Sequence, residues 1–372
     1  MTDSHEVAER PHGHAVVPIR AYDAIVCDLD GVVYRGDGEV PGAPTALQDI
    51  AGRGVQVLYA TNNASRVPAE VAEHLRRLGA PARDVDVVTS AEAGAAIVAQ
   101  RVPAGSPVLA LGGDGVAWAL NQAGLRPVAP PEAVDRGASA VLQGLGRQLT
   151  VADFEVAARL IAEGAVWVVT NGDTTLPLQW GTAPGNGAYV DLVRTATGQE
   201  PVAVAGKPES PLYELAVDRL GTSRRRTLAV GDRLDTDIAG ARAAGLDSAW
   251  VLTGVDRPSA LLDTDLLPTF VLNSLSELLE PYAVPSRREG TWRCASATAR
   301  VVDGALHVDR GDAEPVEAVR AGLAALLERR VLHAEAGAAH PSARAPKTSS
   351  TTVLLQAGGA VLDDLLATAA GR

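Results

Sequence analysis

Four polar clusters carry side chains that could do chemistry together: Asp28-Leu29-Asp30-Gly31, Thr61-Asn62-Asn63, Gly206-Lys207-Pro208, and Gly231-Asp232 with Thr236-Asp237. They supply two carboxylates two residues apart, a hydroxyl with an amide, one ammonium, and a second carboxylate pair. Hard oxygen ligands with a single cation suit Mg²⁺ and a phosphate. Lys207 is telling, because the chain has 31 Arg and only two Lys, Lys207 and Lys347. A compact point charge reaching a phosphate is a reason to keep a Lys. Each cluster also has a plainer reading. Asp28–Gly31 and Gly231-Asp232 alone read as turns, and Thr61-Asn62-Asn63 alone as a helix start. A calcium loop opening at Asp28 fails although Glu39 is its twelfth residue, since Gly31 is the fourth and Val32 and Val33 the fifth and sixth.

The elements that must position these groups are short apolar runs. Ala24–Cys27, Val55–Ala60, Val202–Ala205, Thr227–Val230, Ser248–Leu252 and Thr269–Leu272 read as buried strands. Pro68–Leu78, Pro211–Leu220 and Ile238–Ala244 read as helices between them. Such alternation predicts a doubly wound parallel sheet covered on both faces, an α/β fold. The polar clusters stand where strands have just ended. The carboxyl ends of an open parallel sheet share one crevice, so residues far apart in sequence converge there. A second set of strands is expected at Val108–Leu111, Ala140–Leu142 and Val166–Thr170.

Asp28-Leu29-Asp30-Gly31-Val32, Thr61-Asn62-Asn63, Gly206-Lys207-Pro208-Glu209 and Gly231-Asp232-Arg233-Leu234-Asp235-Thr236-Asp237-Ile238 resemble, in order, the four motifs of the haloacid dehalogenase superfamily of phosphatases. The resemblance covers about residues 20–283. Asp28 to Thr61 is 33 residues and Lys207 to Asp232 is 25, each room for one crossover, whereas the 145 residues from Asn62 to Lys207 hold a whole inserted domain. A large cap at that place resembles the branch of 4-nitrophenylphosphatases and of phosphoglycolate, nucleotide and glycerol 3-phosphate phosphatases. Thr170-Asn171-Gly172-Asp173 and Pro184-Gly185-Asn186-Gly187 resemble it too.

That resemblance implies a Rossmann-like core at 20–85 and 203–283, an α/β cap at 86–202, and a reaction through an aspartyl-phosphate. Asp28 would be the nucleophile and Asp30 the general acid and base. Mg²⁺ would be held by Asp28, the Asp30 carbonyl and Asp232, with Asp237 in support through water. Thr61, Asn62 and Lys207 would bind the phosphoryl oxygens, and Asn171 and Asp173 either contact substrate from the cap or form a structural turn. The expected substrate is a small phosphomonoester, glycerol 3-phosphate first, with 2-phosphoglycolate, a nucleotide monophosphate or pyridoxal phosphate as alternatives. A phosphate-sensing regulatory protein and a phosphotransferase are the readings of another class. Arg35 and Arg66 follow the first two motifs and stand either against substrate or on the surface. Gly112-Gly113-Asp114-Gly115 lacks the Gly-Lys-Ser/Thr of a nucleotide loop and reads as a cap turn.

Composition narrows the classes further. Roughly 100–200 residues per domain gives two or three domains for 372 residues. A net charge of −12, with no basic patch interleaved with aromatics, disfavours nucleic acid. The longest uncharged stretch, Thr174 to Val190, contains Pro177, Pro184 and three Gly and is no membrane span. Cys27 and Cys294 form no disulfide framework, and with no apolar leader a soluble, cytoplasmic protein is expected. Residues 1–19, with His5, His12 and His14, read as a disordered tail, and regular structure is expected from Tyr22. Residues 286–372 read as an appended module. Trp292–Val302 alternates, Asp303-Gly304 marks a hairpin, and a helix buries Val319, Leu323, Leu326 and Leu327. A linker at 334–352 and a short helix near Leu362 follow. The hairpin and helix weakly resemble part of an acetyltransferase, but no Arg/Gln-x-x-Gly-x-Gly/Ala loop is present. The module is therefore read as structural, regulatory or oligomerising, which leaves a homo-oligomer open.

Overall fold

The computed structural model describes residues 16–178, 180–339 and 350–370. The chain divides into two compact units. One comprises Ala21–Val255 and Pro268–Phe270, and the other the described parts of Met1–Arg20, Asp256–Leu267 and Val271–Arg372.

The first unit is built on two sheets of parallel strands. In the first sheet this unit holds, in order, Asp247–Val251, Thr227–Gly231, Ala24–Cys27, Gln56–Thr61 and Val87–Thr89. Ala24–Cys27 is central and wholly buried, with Cys27 opposite Val230 on one side and Tyr59 on the other. A strand covered on both faces cannot alternate, which is why Ala-Ile-Val-Cys is apolar throughout. On one face Val26, Leu58, Ala60 and Ala229 pack with Leu212 and Ala216 of helix Pro211–Leu220 and Ala241 of helix Ala239–Ala243. The first, second and fourth polar clusters emerge at the carboxyl ends of these strands, while Gly206-Lys207-Pro208 follows Ala203–Val204 of the second sheet.

The inserted cap has its own parallel sheet, ordered Ala203–Val204, Val166–Val169, Ala140–Gln143, Pro107–Leu111, Arg126–Val128. Helices Val151–Ala162 and Asn186–Thr197 cover the face carrying Val141 and Trp167. Helices Ser90–Ala99 and Asp114–Gln122 cover the face carrying Val108 and Leu142.

The sheets divide the chain differently from the boundaries expected at 86 and 202. Val87–Thr89 pairs with Tyr59–Thr61 in the first sheet, and Ala203–Val204 pairs with Val168-Val169 in the second. Strands of two or three residues carry no pattern of their own, and the partner decides membership. Thr89 does carry a local signal, since it starts helix Ser90–Ala99 with a capping box in which Thr89 and Glu92 exchange hydrogen bonds.

The second unit contains an antiparallel sheet of Ser286–Arg288, Thr291–Cys294, Ala297–Val302 and Ala305–Asp309 in sequence order. The run Trp292–Val302 is thus two strands, broken at Ala295-Ser296, where Ala295 takes φ 50°. Helix Pro315–Ala339 buries Val319, Leu323 and Leu326, with Leu327 partly covered. The expected linker is helical at both ends, to Ala339 and from Ser350, and the short helix near Leu362 spans Ser350–Ala370. Residues 340–349 lie outside the described residues. So do 1–15 of the expected tail, with its three histidines. Its remainder is ordered earlier than Tyr22: Pro18 and Ile19 are buried, and Val16 pairs with Tyr282.

Candidate active site

Asp28 continues the ladder of the central strand, its N–H donating to the Val230 carbonyl at 2.8 Å. The chain then folds tightly: the Leu29 carbonyl accepts from the N–H groups of Val32, Val33 and Tyr34. Gly31 takes φ +83°, and a Cβ there would lie 2.4 Å from Asp232 Oδ2. Only glycine allows this turn to approach the fourth cluster.

Lys207 is 2% exposed and its ammonium lies between two carboxylates. It pairs with Asp28 Oδ1, and it meets Asp237 Oδ1 at 2.8 Å. Burial would drive off its proton, yet Asp237 and Asp28 hold it charged, well above the ordinary lysine range. Asp28, Asp232 and Asp237 each bring one oxygen within 4.8 Å of the others. Burial lifts the Asp28 carboxyl well above the usual range, with Asp237 and Asp232 adding to the rise and Lys207 opposing it. Burial and then the charge of Asp237 push Asp232 up to about 7.

Backbone contacts fix these carboxylates in place. Asp232 Oδ2 accepts from Val255 N at 3.1 Å, its carbonyl accepts from Trp250 Nε1 at 2.8 Å, and Asp237 Oδ2 accepts from Arg233 N at 3.1 Å. Three carboxylates stand against one ammonium in this cluster, an excess of acidic groups that helps to lift Asp28 and Asp232. A hard divalent cation fits both that excess and these donors.

Asp30 stands exposed beside the cluster, touching Tyr34 through a backbone bridge. The surrounding protein desolvates its carboxyl and raises it, against the positive charges of Arg66, His74 and Lys207. That is the direction a proton donor needs. Tyr34 also packs against the His74 ring at 4.9 Å. Arg66 is exposed and in the electrostatic field of Asp30, while Arg35 lies on the exposed hairpin Tyr34–Arg35/Gly38–Glu39. Asp235 is exposed and pairs with Arg233.

Thr61 ends its strand buried, its hydroxyl accepting from Asn63 N at 3.1 Å. Asn62 is expected on the phosphoryl oxygens, and its side chain is turned to other partners. Its Oδ1 accepts from Lys207 N at 2.8 Å, and its Nδ2 donates to Lys207 O at 3.0 Å and Asp173 Oδ2 at 3.2 Å. Both amide protons are thereby used, so the side chain clamps the Lys207 backbone.

From the cap, Asn171 is 5% exposed and donates to the Asn62 carbonyl at 2.8 Å. Asp173 is half-buried, which raises its carboxyl despite the bond from Asn62. Sequence reasoning assigned no role to Ser90, whose hydroxyl donates to the Asn62 carbonyl at 2.7 Å, or to Asn186, whose Nδ2 donates to the Asn171 carbonyl at 2.7 Å. Asn186 did stand inside the segment Pro184–Gly187 that resembled the phosphatase branch. Gly112–Gly115 is the cap's seat on the second cluster: Gly115 N donates to Ser65 O at 3.2 Å, and a Cβ there would lie 2.5 Å from the carbonyls of Ala64 and Arg66.

Comparison with known proteins decides the family. The family model of haloacid dehalogenase-like hydrolases matches residues 25–126, and that of HAD-hydrolase-like proteins matches 204–278. The acid sugar phosphatase of Staphylococcus aureus is 35% identical over 261 residues, which is 70% of this chain and 98% of that protein. The chain belongs to the haloacid dehalogenase-like hydrolases. Another member, the D-glycerol 3-phosphate phosphatase of Mycobacterium tuberculosis, is 46% identical over 235 residues. That alignment spans 63% of this chain and 64% of the relative.

Solved structures of the family agree. Glycerol phosphate phosphatase from M. tuberculosis, in complex with magnesium, superposes with TM-score 0.74 at 37% identity, covering 85% of this chain and 93% of that one. The p-nitrophenyl phosphatase of Archaeoglobus fulgidus gives 0.65 at 27%, covering 70% and 98%. No helix among the described residues is long and apolar enough to cross a membrane.

Proposed function

We propose that this hydrolase cleaves a small phosphomonoester, glycerol 3-phosphate, through an aspartyl-phosphate on Asp28 with Mg²⁺ bound. The observation that carries the reading is the buried cluster of Asp28, Asp232 and Asp237 around the Lys207 ammonium, with Asp30 beside it. An Asp28 oxygen attacks phosphorus as the ester P–O bond breaks, and Asp30 gives its proton to the leaving alkoxide. Water then attacks the same phosphorus and loses a proton to Asp30, and the bond to Asp28 breaks to release phosphate. Lys207, with Thr61, meets the charge that gathers on the phosphoryl oxygens. Asp28, the Asp30 carbonyl and Asp232 would hold Mg²⁺, and Asp237 sits close enough to join them. When bound, the ion neutralises charge shared by the nucleophile and the phosphoryl group.

The names of the M. tuberculosis relatives support glycerol 3-phosphate as the substrate. The two buried free cysteines suit a reducing cytoplasm. The test is phosphate release with Mg²⁺ or with chelator across glycerol 3-phosphate, 2-phosphoglycolate, nucleotide monophosphates and pyridoxal phosphate. Mg²⁺-dependent release ranked highest in kcat/KM for glycerol 3-phosphate is expected. Another substrate ranking first would overturn the substrate, and no release from any would overturn the reaction.

A further inference from the structure

Three asparagines run as a chain of hydrogen bonds from a cap helix to the catalytic lysine. Asn186, the first residue of helix Asn186–Thr197, donates to the Asn171 carbonyl at 2.7 Å. Asn171 donates to the Asn62 carbonyl at 2.8 Å. Asn62 grips the Lys207 peptide at both its N–H and its carbonyl. Asn171 is anchored a second way, its Oδ1 accepting from Asp173 N at 3.2 Å. Asn171 and Asn186 are 5% and 2% exposed, so neither offers a surface to substrate. Buried amides cost free energy unless paired; those of Asn171 and Asn62 are paired through both oxygen and nitrogen, whereas Asn186 is paired through its Nδ2 alone.

We propose that Asn171 is a positioning residue for Lys207, acting through Asn62, so that the cap aligns the ammonium as well as covering the crevice. This rests on the reading that Lys207 stabilises the phosphoryl group in transfer. The ammonium must meet Asp28 and Asp237 and still face the charge that grows on the phosphoryl oxygens. Among the described residues no other side-chain amide holds the Lys207 backbone, and the Asn62 carbonyl is held by Asn171 together with Ser90. An ammonium displaced by a fraction of an ångström loses more in the transition state than in the ground state.

The test compares Asn171→Ala and Asn171→Asp with wild type in the full-length protein, reading kcat and KM. Inhibition and calorimetric binding of orthovanadate, which adopts the five-coordinate geometry of transfer, are set against those of inorganic phosphate. Asn171→Asp preserves size but replaces the donor with an acceptor facing the Asn62 carbonyl, and it decides the matter if Asn171→Ala does not fold. The expected result is a kcat lower by roughly tenfold to a hundredfold with KM within about threefold. Vanadate should weaken in step with kcat, and phosphate much less. A rise in KM alone would make Asn171 a substrate contact and overturn the proposal. So would unchanged kinetics, or equal weakening of vanadate and phosphate. Wild-type turnover in Lys207→Ala would instead sink the underlying role of Lys207, which keeps the two failures apart.

Discussion

The two units each bury a cation, and the two environments differ in what they leave over. In the second unit Arg320 is 5% exposed; its Nε donates to the Val271 carbonyl at 2.7 Å, its guanidinium pairs with Glu277, and it lies 4.1 Å over the Tyr282 ring. One positive charge meets one carboxylate, and the Nε meets a neutral carbonyl. In the first unit the Lys207 ammonium faces Asp28 and Asp237, with Asp232 close by. There carboxylates outnumber the ammonium. Burial and ion pairing are common to both places, so neither property marks a functional site by itself. The excess of carboxylates does, because their charged forms are costly in the fold, a cost that bound protons or a cation relieves.

Changes that break this contrast should differ in kind. Asp28→Asn should produce the largest effect, a loss of turnover by at least about a thousandfold with the fold retained, since no step replaces the nucleophile. Phosphate release and circular dichroism on the same preparation check it, and appreciable residual turnover would remove Asp28 from its role. Lys207→Ala should follow, lowering kcat/KM by roughly a hundredfold to a thousandfold as one charge-stabilising donor is lost. A wild-type rate would contradict its place in the site.

Arg320→Ala should act on stability and leave chemistry alone. It strands a half-buried Glu277 carboxylate and removes a buried guanidinium, and breaking one side of such a pair costs at most about 3–5 kcal/mol. Denaturant unfolding should show that loss, while kcat per folded molecule stays within about twofold. Arg320→Ala with unchanged stability would mean that the pair contributes nothing. Arg320→Ala with a large fall in kcat would mean that this unit takes part in turnover.

How much of this was legible in the sequence follows from range. Asp28, Thr61 and Asp232 could be placed because each stands at the end of an apolar strand, a local signal, and a parallel sheet brings such ends together; Lys207 was legible as a rare Lys after an apolar run, although the strand before it, Ala203–Val204, lies in the second sheet. The Asn62 clamp could not, because Lys207 lies 145 residues away and nothing local says which way an amide turns. Asn171 was read from its place after a strand end, either as a substrate contact or as a turn, but its partner Asn62 follows a strand of the other sheet. The second unit was the least legible. Glu277 and Tyr282 were taken with the core ending at 283, although Arg320 binds both; a cut at 286 would strip away their partner. Alternation predicted one strand over Trp292–Val302, since Ala295 carries no turn signal at its φ of 50°.

The smallest expected effect sharpens the contrast by titration. Asp232 titrates at about 7 in the fold without a cation, against the roughly 3.9 of an unfolded aspartate. Between those values the folded chain binds more protons than the unfolded one, so stability falls as pH rises through the window. Asp28, raised in the same direction, adds to the fall. Mg²⁺ competes with those protons and binds the fold, so the rise in Tm on adding Mg²⁺ should be small near pH 5 and a few degrees larger at pH 8. Asp232→Asn removes both the titrating group and a ligand, and should flatten that dependence. Arg320→Ala supplies the control, lowering Tm at each pH while keeping the Mg²⁺ increment. An increment equal at pH 5 and pH 8 in wild type would show that the cluster does not hold its charge in the way its burial demands.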